Sequence, residues 1–191
     1  DWLAVPDKGT DTVHAVHLDE ASGRLTWMHD SPLAAGSGPR HLAYSGDGRI
    51  AWIVLELSSQ VLAARVCAQR GVFTPFERWS TLPAHYTGDN TASGIALSAD
   101  ESKLYVSNRG HGSIACFAVH DGRLSPSGWH ETGGTTPRFI TLAPDPPALW
   151  AANEDADSIV RLHAAQPSTV LARTGSPVCI VFKPGVPHAS H

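Results

Sequence analysis

The sequence predicts an all-β fold, a β-propeller of four-stranded antiparallel blades, on three observations. The stretches "WLAVPDKGTDTVHAV", "AWIVLELSSQVLAA", "LYVSNRGHGSIACF" and "LWAANEDADSIVRL" superpose as strand, polar loop, strand, with Val13, Val61, Ile114 and Ile159 at equivalent places 48, 53 and 45 residues apart. Short apolar runs are punctuated by Gly, Asp, Ser and Pro turns. No stretch keeps the 3.6-residue period of an amphipathic helix. Units of four short strands recurring at this period are propeller blades, and the chain holds about four blades' worth of them.

The elements follow in order. Residues 36–83 give the template, with "RHLAYS" as strand a, "IAWIVL" as b, "VLAARV" as c and "VFTPFERWS" as d. The first unit, about 1–35, enters in strand b at Trp2-Leu-Ala-Val5 and runs through c to d at "GRLTW". The units 84–134 and 135–174 repeat the template, headed by "TASGIALSADES" and "TPRFITLAPDPP". A last strand a is expected over 175–183, at "PVCIVF", followed by a loose Pro-rich tail at 184–191. The whole of 1–191 thus reads as one propeller domain or a fragment of one. Pairing of the last strand with the first would close a four-blade ring and remove its open edges. The same layout fits an arc of a larger ring, whose exposed edges would favour self-association.

Composition narrows the partners. The net charge is -4, and the 14 Lys and Arg are scattered singly, which argues against a nucleic-acid footprint and for a small-molecule partner. No segment approaches the length of a membrane span, and the start lacks the basic-then-apolar pattern of a signal peptide. Cys67, Cys116 and Cys179 are odd in number and far apart, which suits a reducing compartment, so a cytoplasmic location is expected. The first residue is Asp1, and the strand-like text beside it reads as cut from something longer.

Topology selects the candidate site. In an antiparallel blade the loops into strand a and out of strand b share one end, and the a–b and c–d turns share the other. Arg40 and His41 enter strand a, Glu56 leaves strand b, Arg109 leaves b of the next blade, and Arg138 enters a of the one after. All five are expected at one mouth of the ring. Guanidinium groups offer a permanently charged fork for phosphate or carboxylate. Glu56 is the candidate general base toward a water, with burial raising its proton affinity and the arginines opposing that. His41 is the candidate for proton transfer near neutrality, and Arg138 for substrate binding.

The remaining histidines and Gly-rich runs read as structural. His14 and His17, three apart on a strand, point to opposite faces and cannot share a metal. His188 and His191 lie in the tail. "GSGP" and "TGGTTP" precede strands, not helices, and lack phosphate-loop spacing. No metal motif and no cofactor motif is found.

Five segments, "GSGPRHLAYSGDGRIAWIVLELSS", "GDNTASGIALSADESKLYVSNRGHGSIACF", "TGGTTPRFITLAPD", "ANEDADSIV" and "GSPVCIVF", cover nearly the whole chain in order. In them the sequence resembles the C-terminal part of the propeller-type 6-phosphogluconolactonases, a seven-bladed family that includes the fungal carboxy-cis,cis-muconate cyclases. The resemblance implies a site built on the Arg of "GPRH", the Glu of "ELSS" and the Arg of "SNRG", here Arg40, Glu56 and Arg109. It also implies a histidine from a blade upstream of those present. "VLELSS" departs from the family, which more often has Asn before the Glu. The function implied is hydrolysis of a sugar-acid lactone, 6-phosphogluconolactone to 6-phosphogluconate, a step of the pentose phosphate pathway. Muconate-type cyclisation and a non-catalytic binding scaffold are the alternatives.

Overall fold

The structure, a computed structural model, describes residues 1–144, 147–163 and 166–183. The strands β1 (Trp2–Asp7), β2 (Thr12–Asp19) and β3 (Arg24–Pro32) form a three-stranded sheet. Three four-stranded sheets follow. The first contains β4 (Pro39–Tyr44), β5 (Ile50–Leu55), β6 (Gln60–Cys67) and β7 (Val72–Ser80). The next holds β8 (Ala92–Leu97), β9 (Lys103–Asn108), β10 (Ser113–His120) and β11 (Arg123–Glu131). The last is β12 (Pro137–Pro144), β13 (Pro147–Asn153), β14 (Ser158–Arg161) and β15 (Thr169–Arg173). Every pairing joins sequence neighbours and is antiparallel. The all-β blade architecture expected from the repeat is therefore present, with β1 to β3 serving as strands b, c and d.

The sheets stack face to face around their inner strands, β1 against β4, β4 against β8 and β8 against β12. Stacking covers both faces of a middle sheet, which explains why "IAWIVL" is apolar without alternation. Side chains alternate faces along a strand, so Ala51, Ile53 and Leu55 join Val13 and Phe73 in one core. Trp52 and Val54 turn to the opposite core, with Leu104, Val106 and Phe117. A third core holds Ile114, Ile140, Leu149 and Val160 between the last two sheets. Each of the larger side chains contributes roughly 1.5–3 kcal/mol by leaving water.

Two backbone devices recur with the repeat. The residue two before each of Val13, Val61, Ile114 and Ile159 has a left-handed backbone: Asp11 (φ 53), Ser59 (φ 51), Gly112 (φ 71) and Asp157 (φ 50). This conformation closes the b–c turn, and short polar residues or glycine tolerate it best. Each c–d pair also carries a β-bulge, at Ala15/Val16, Ala63/Ala64, Cys116/Phe117 and Ile159/Val160. A bulge bends and twists its strand.

The strand expected over 175–183 does not form. Among the described residues β1 pairs with β2 alone, and no ladder joins 175–183 to it. A strand needs a partner's row of amides and carbonyls; this segment instead sets the ring of Phe182 edge-on against Trp150, centroids 5.1 Å apart. Leu149 faces the third core, so Trp150 and Phe182 meet on the opposite face of the last sheet. The tail at 184–191, with His188 and His191, lies outside the described residues. No helix among them is long and apolar enough to cross a membrane. Cys67, Cys116 and Cys179 are free thiols. His14 is held by two carboxylates of its own sheet, Asp30 at 2.7 Å from Nδ1 and Asp7 at 3.4 Å from Nε2.

Candidate functional site

The heads of β4, β8 and β12 are bulged where their site residues stand. Pro39 partners Leu55 and Leu42 partners Ile53, so Arg40 and His41 together face only Val54. In β8, Ser93 and Gly94 occupy the same irregularity, and in β12 Arg138 is the unpaired residue. Arg40, Ser93 and Arg138 are repeat equivalents, each 21 residues before its anchor. A bulge releases a side chain from strict alternation and re-aims it. Here it delivers the strand heads to the end of the sheets where the b–c turns begin.

Glu56, buried at 6% exposure, is the hub. Lys8 donates a hydrogen bond to its Oε1 from 3.1 Å, and Nη2 of Arg109 reaches the same oxygen at 2.9 Å. Nε of Arg40 lies 3.1 Å from Oε2. The three cations come from three different sheets. Burial alone would push the Glu56 carboxyl up, but contacts with Lys8 and Arg109 outweigh it and hold the group below its ordinary value. Of the two opposing influences named from the sequence, that of the neighbouring cations prevails, and Glu56 is a carboxylate at neutral pH.

His41 touches the cluster through Arg40, whose Nη1 lies 3.0 Å from Nδ1 and 3.2 Å from Nε2. Burial first, and the Arg40 charge second, push the imidazole down to about 4. At neutral pH the ring is uncharged, so it accepts from the guanidinium and is no imidazolium donor. The same Arg40 nitrogen donates to the Ser93 carbonyl at 3.1 Å, and the Ser93 hydroxyl donates to the Arg138 carbonyl at 2.7 Å. The three strand heads are thus linked in a row.

Of the five residues singled out in the sequence, Arg40 and Arg109 each contact Glu56, and His41 adjoins Arg40. Arg138 pairs with Glu154 at 3.1 Å instead of reaching Glu56. Two members escaped the reading of the sequence, Lys8 and Glu154. The repeat carried their signal: Lys8, Glu56, Arg109 and Glu154 all stand five residues before their anchors, so the first residue after each strand b alternates in charge. The ion-paired cluster itself holds four cations, Lys8, Arg40, Arg109 and Arg138, against two carboxylates, Glu56 and Glu154. Among the described residues no three His, Cys, Asp or Glu converge as a metal cluster would. A cavity of about 860 Å³ lined by Tyr105, Cys116, Leu142 and Leu149, with Asp100 and Lys103, lies between the last two sheets and includes none of the clustered residues.

Comparison with known proteins bears on this arrangement. The family described as lactonase, 7-bladed β-propeller, matches residues 1–182. A Staphylococcus aureus protein is 33% identical over 175 residues, 88% of this chain and 48% of its own length. A crystal structure of a Lactobacillus plantarum protein superposes with a TM-score of 0.84 at 35% identity, covering 94% of this chain and 54% of that one. The periplasmic gluconolactonase of Pseudomonas aeruginosa does so with a TM-score of 0.81 at 32% identity, covering 92% and 52%. The chain spans about half the length of these relatives. With its repeat, its blades and this match over residues 1–182, the chain belongs to the seven-bladed β-propeller lactonase family.

Proposed function

We propose that the mouth hydrolyses a sugar-acid lactone bearing an anionic group, 6-phosphogluconolactone being the leading candidate. The observation that carries this reading is one buried carboxylate, Glu56, bound by cations from three sheets in an ion-paired cluster of four cations and two carboxylates. The lactone-hydrolysing relative from Pseudomonas aeruginosa supports the reaction class. The surplus positive charge supports the anionic substrate.

In this reading the substrate's anionic group draws Lys8 and Arg109 away from Oε1, which restores proton affinity to Glu56. A water then attacks the lactone carbonyl carbon while Glu56 takes one of its protons. The carbonyl oxygen becomes an oxyanion beside the Arg40 guanidinium, which stabilises it. Collapse breaks the ring C–O bond, and protonated Glu56 returns the proton to the departing ring oxygen, leaving a hydroxy acid. Neutral His41 accepts a hydrogen bond from Arg40 and orients it. Arg138 is the outer substrate contact. Lactone rings hydrolyse unaided, so positioning and electrostatic stabilisation carry most of the required acceleration. The three free cysteines support action in a reducing, cytoplasmic compartment.

The test is hydrolysis of freshly prepared 6-phosphogluconolactone by the purified chain, read against the spontaneous rate and against Glu56→Gln. Acceleration that the variant loses supports the reading. A rate equal to background overturns it for this chain. Turnover of a carboxymuconate in place of the lactone would move the assignment to the cyclase alternative.

A further inference from the structure

Glu56 and Arg109 belong to different sheets, yet their side chains meet at 2.9 Å. One segment runs between them and bonds to both. The amide of Ala92 donates to the Glu56 carbonyl at 3.1 Å, and the amide of Arg109 donates to the Thr91 carbonyl at 3.0 Å. Beside that segment the Asn90 side chain makes four further bonds. Its Oδ1 accepts from the amides of Gly110 and His111, both at 3.0 Å, in the turn that begins with Arg109. Its Nδ2 donates to the Ser59 hydroxyl at 2.9 Å, in the turn that begins with Glu56, and to Asn108 Oδ1 at 3.2 Å. The Ser59 hydroxyl donates back to the Asn90 carbonyl at 3.1 Å.

The other repeats solve this problem differently, and the contrast identifies what Asn90 does. The left-handed turn residue is Asp11 in the first unit, and its carboxylate holds the next connection through the amides of Gly36 and Gly38 at 2.7 Å. Asp157 plays the same part, accepting from the Ser176 amide at 2.8 Å. At the Glu56 turn that position is Ser59, which has no carboxylate, and the connection itself supplies the clamp. The repeat equivalents of Asn90 are Ser37 and Thr135, neither of which has an amide. In the last sheet Asn153, the counterpart of Asn108, is left with a buried Oδ1 lacking a partner. The connection carrying Asn90, residues 81–91, is also longer than its counterparts at 33–38 and 132–136.

We propose that Asn90 is the positioning residue that fixes Glu56 against Arg109, its amide setting the separation of the two turns from which they project. Its importance for turnover rests on the lactone-hydrolysis reading; its control of the contact does not. The experiment therefore reads the contact directly, by following the Glu56 side-chain carbonyl carbon through a pH titration by NMR in the whole chain. Substituting Asn90→Ala is expected to loosen Arg109 and raise the Glu56 midpoint by about half a pH unit, about a threefold change in proton affinity. Ser59→Ala cuts only the link to the Glu56 turn and is expected to shift the midpoint in the same direction by less. Asn153→Ala removes a buried amide two units away and is expected to lower stability without moving Glu56.

An unchanged Glu56 midpoint in folded Asn90→Ala overturns the proposal. Where Asn90→Ala does not fold, Ser59→Ala decides alone, a wild-type midpoint overturning the proposal and an upward shift supporting it. A chain with no lactonase activity but with the shifted midpoint would fail the functional reading and leave the role of Asn90 standing.

Discussion

Arg109 and Lys8 share a single oxygen of Glu56, at 2.9 and 3.1 Å, while the other oxygen faces only Arg40. The carboxylate is asymmetric: Oε1 is saturated with donors and Oε2 keeps a lone pair for a water. In the proposed hydrolysis such a carboxylate is a weak base until the substrate's negative charge competes for Lys8 and Arg109.

Glu56→Gln keeps the shape and removes the base. The rate above background for 6-phosphogluconolactone is expected to fall by about 100-fold or more, as for loss of a positioned general base. Initial rates corrected for spontaneous opening check this, with circular dichroism confirming the fold. Loss of negative charge also leaves Lys8, Arg40 and Arg109 repelling one another, so the variant is expected to melt earlier at neutral pH.

Acid should weaken the fold in two stages. His41 is pushed down to about 4 from 6.5, so the unfolded chain binds its proton first, and stability present above pH 6.5 is lost as pH falls toward 4. Glu56 is also held low, and its contribution, present above the ordinary glutamate value, is lost as pH falls through the depressed one. Urea midpoints measured between pH 7 and 3 are expected to fall throughout. His41→Phe should flatten the upper part of the profile and Glu56→Gln the lower.

Lys8→Met removes one cation that is half exposed, with 53% of its side chain accessible. An exposed pair of this kind contributes at most about 1 kcal/mol, so KM for the phosphorylated lactone is expected to rise by roughly threefold to fivefold. KM for uncharged gluconolactone should stay constant, and the salt dependence of the phosphorylated substrate should weaken. Parallel changes for both lactones would remove Lys8 from substrate binding.

Gly94 holds the place of His41 and Phe139 in the repeat, where β8 approaches β12. A Cβ there would stand 3.0 Å from both the backbone nitrogen and Cγ1 of Ile140. Gly94→Ala is expected to cost about 1–3 kcal/mol by overpacking, measured by urea denaturation. It should also disturb Ser93 and with it the link from Arg40 to Arg138.

The blade architecture was legible because one period governs strand, turn and anchor together, so each repeat checks the others. Arg40, His41, Glu56, Arg109 and Arg138 could be placed at one end from antiparallel connectivity alone. The partners of those residues could not. Whether Arg138 meets Glu56 or Glu154 depends on the spacing between sheets, which no single blade encodes. Lys8 was visible in principle as the equivalent of Glu56, but its charge has meaning only once the first sheet packs beside the second. The bulges at Arg40 and Arg138 leave no trace in residue type. The segment 175–183 misled because an apolar run shows that a strand is affordable, while pairing decides whether one exists.

The division of β5 between two cores has a dynamic consequence. Ala51, Ile53 and Leu55 are held from one side and Trp52 and Val54 from the other, so this sheet cannot open without unzipping both neighbours. Local fluctuations that expose the amides of Trp52 to Leu55 must approach global unfolding in cost, whereas those of β15, exposed along its whole length, need only fray. Amide hydrogen exchange should therefore grade steeply from the outer strands inward, with the slowest protons directly beneath Glu56. Its charges are mounted on the least yielding part of the molecule, where thermal motion does least to blur their geometry.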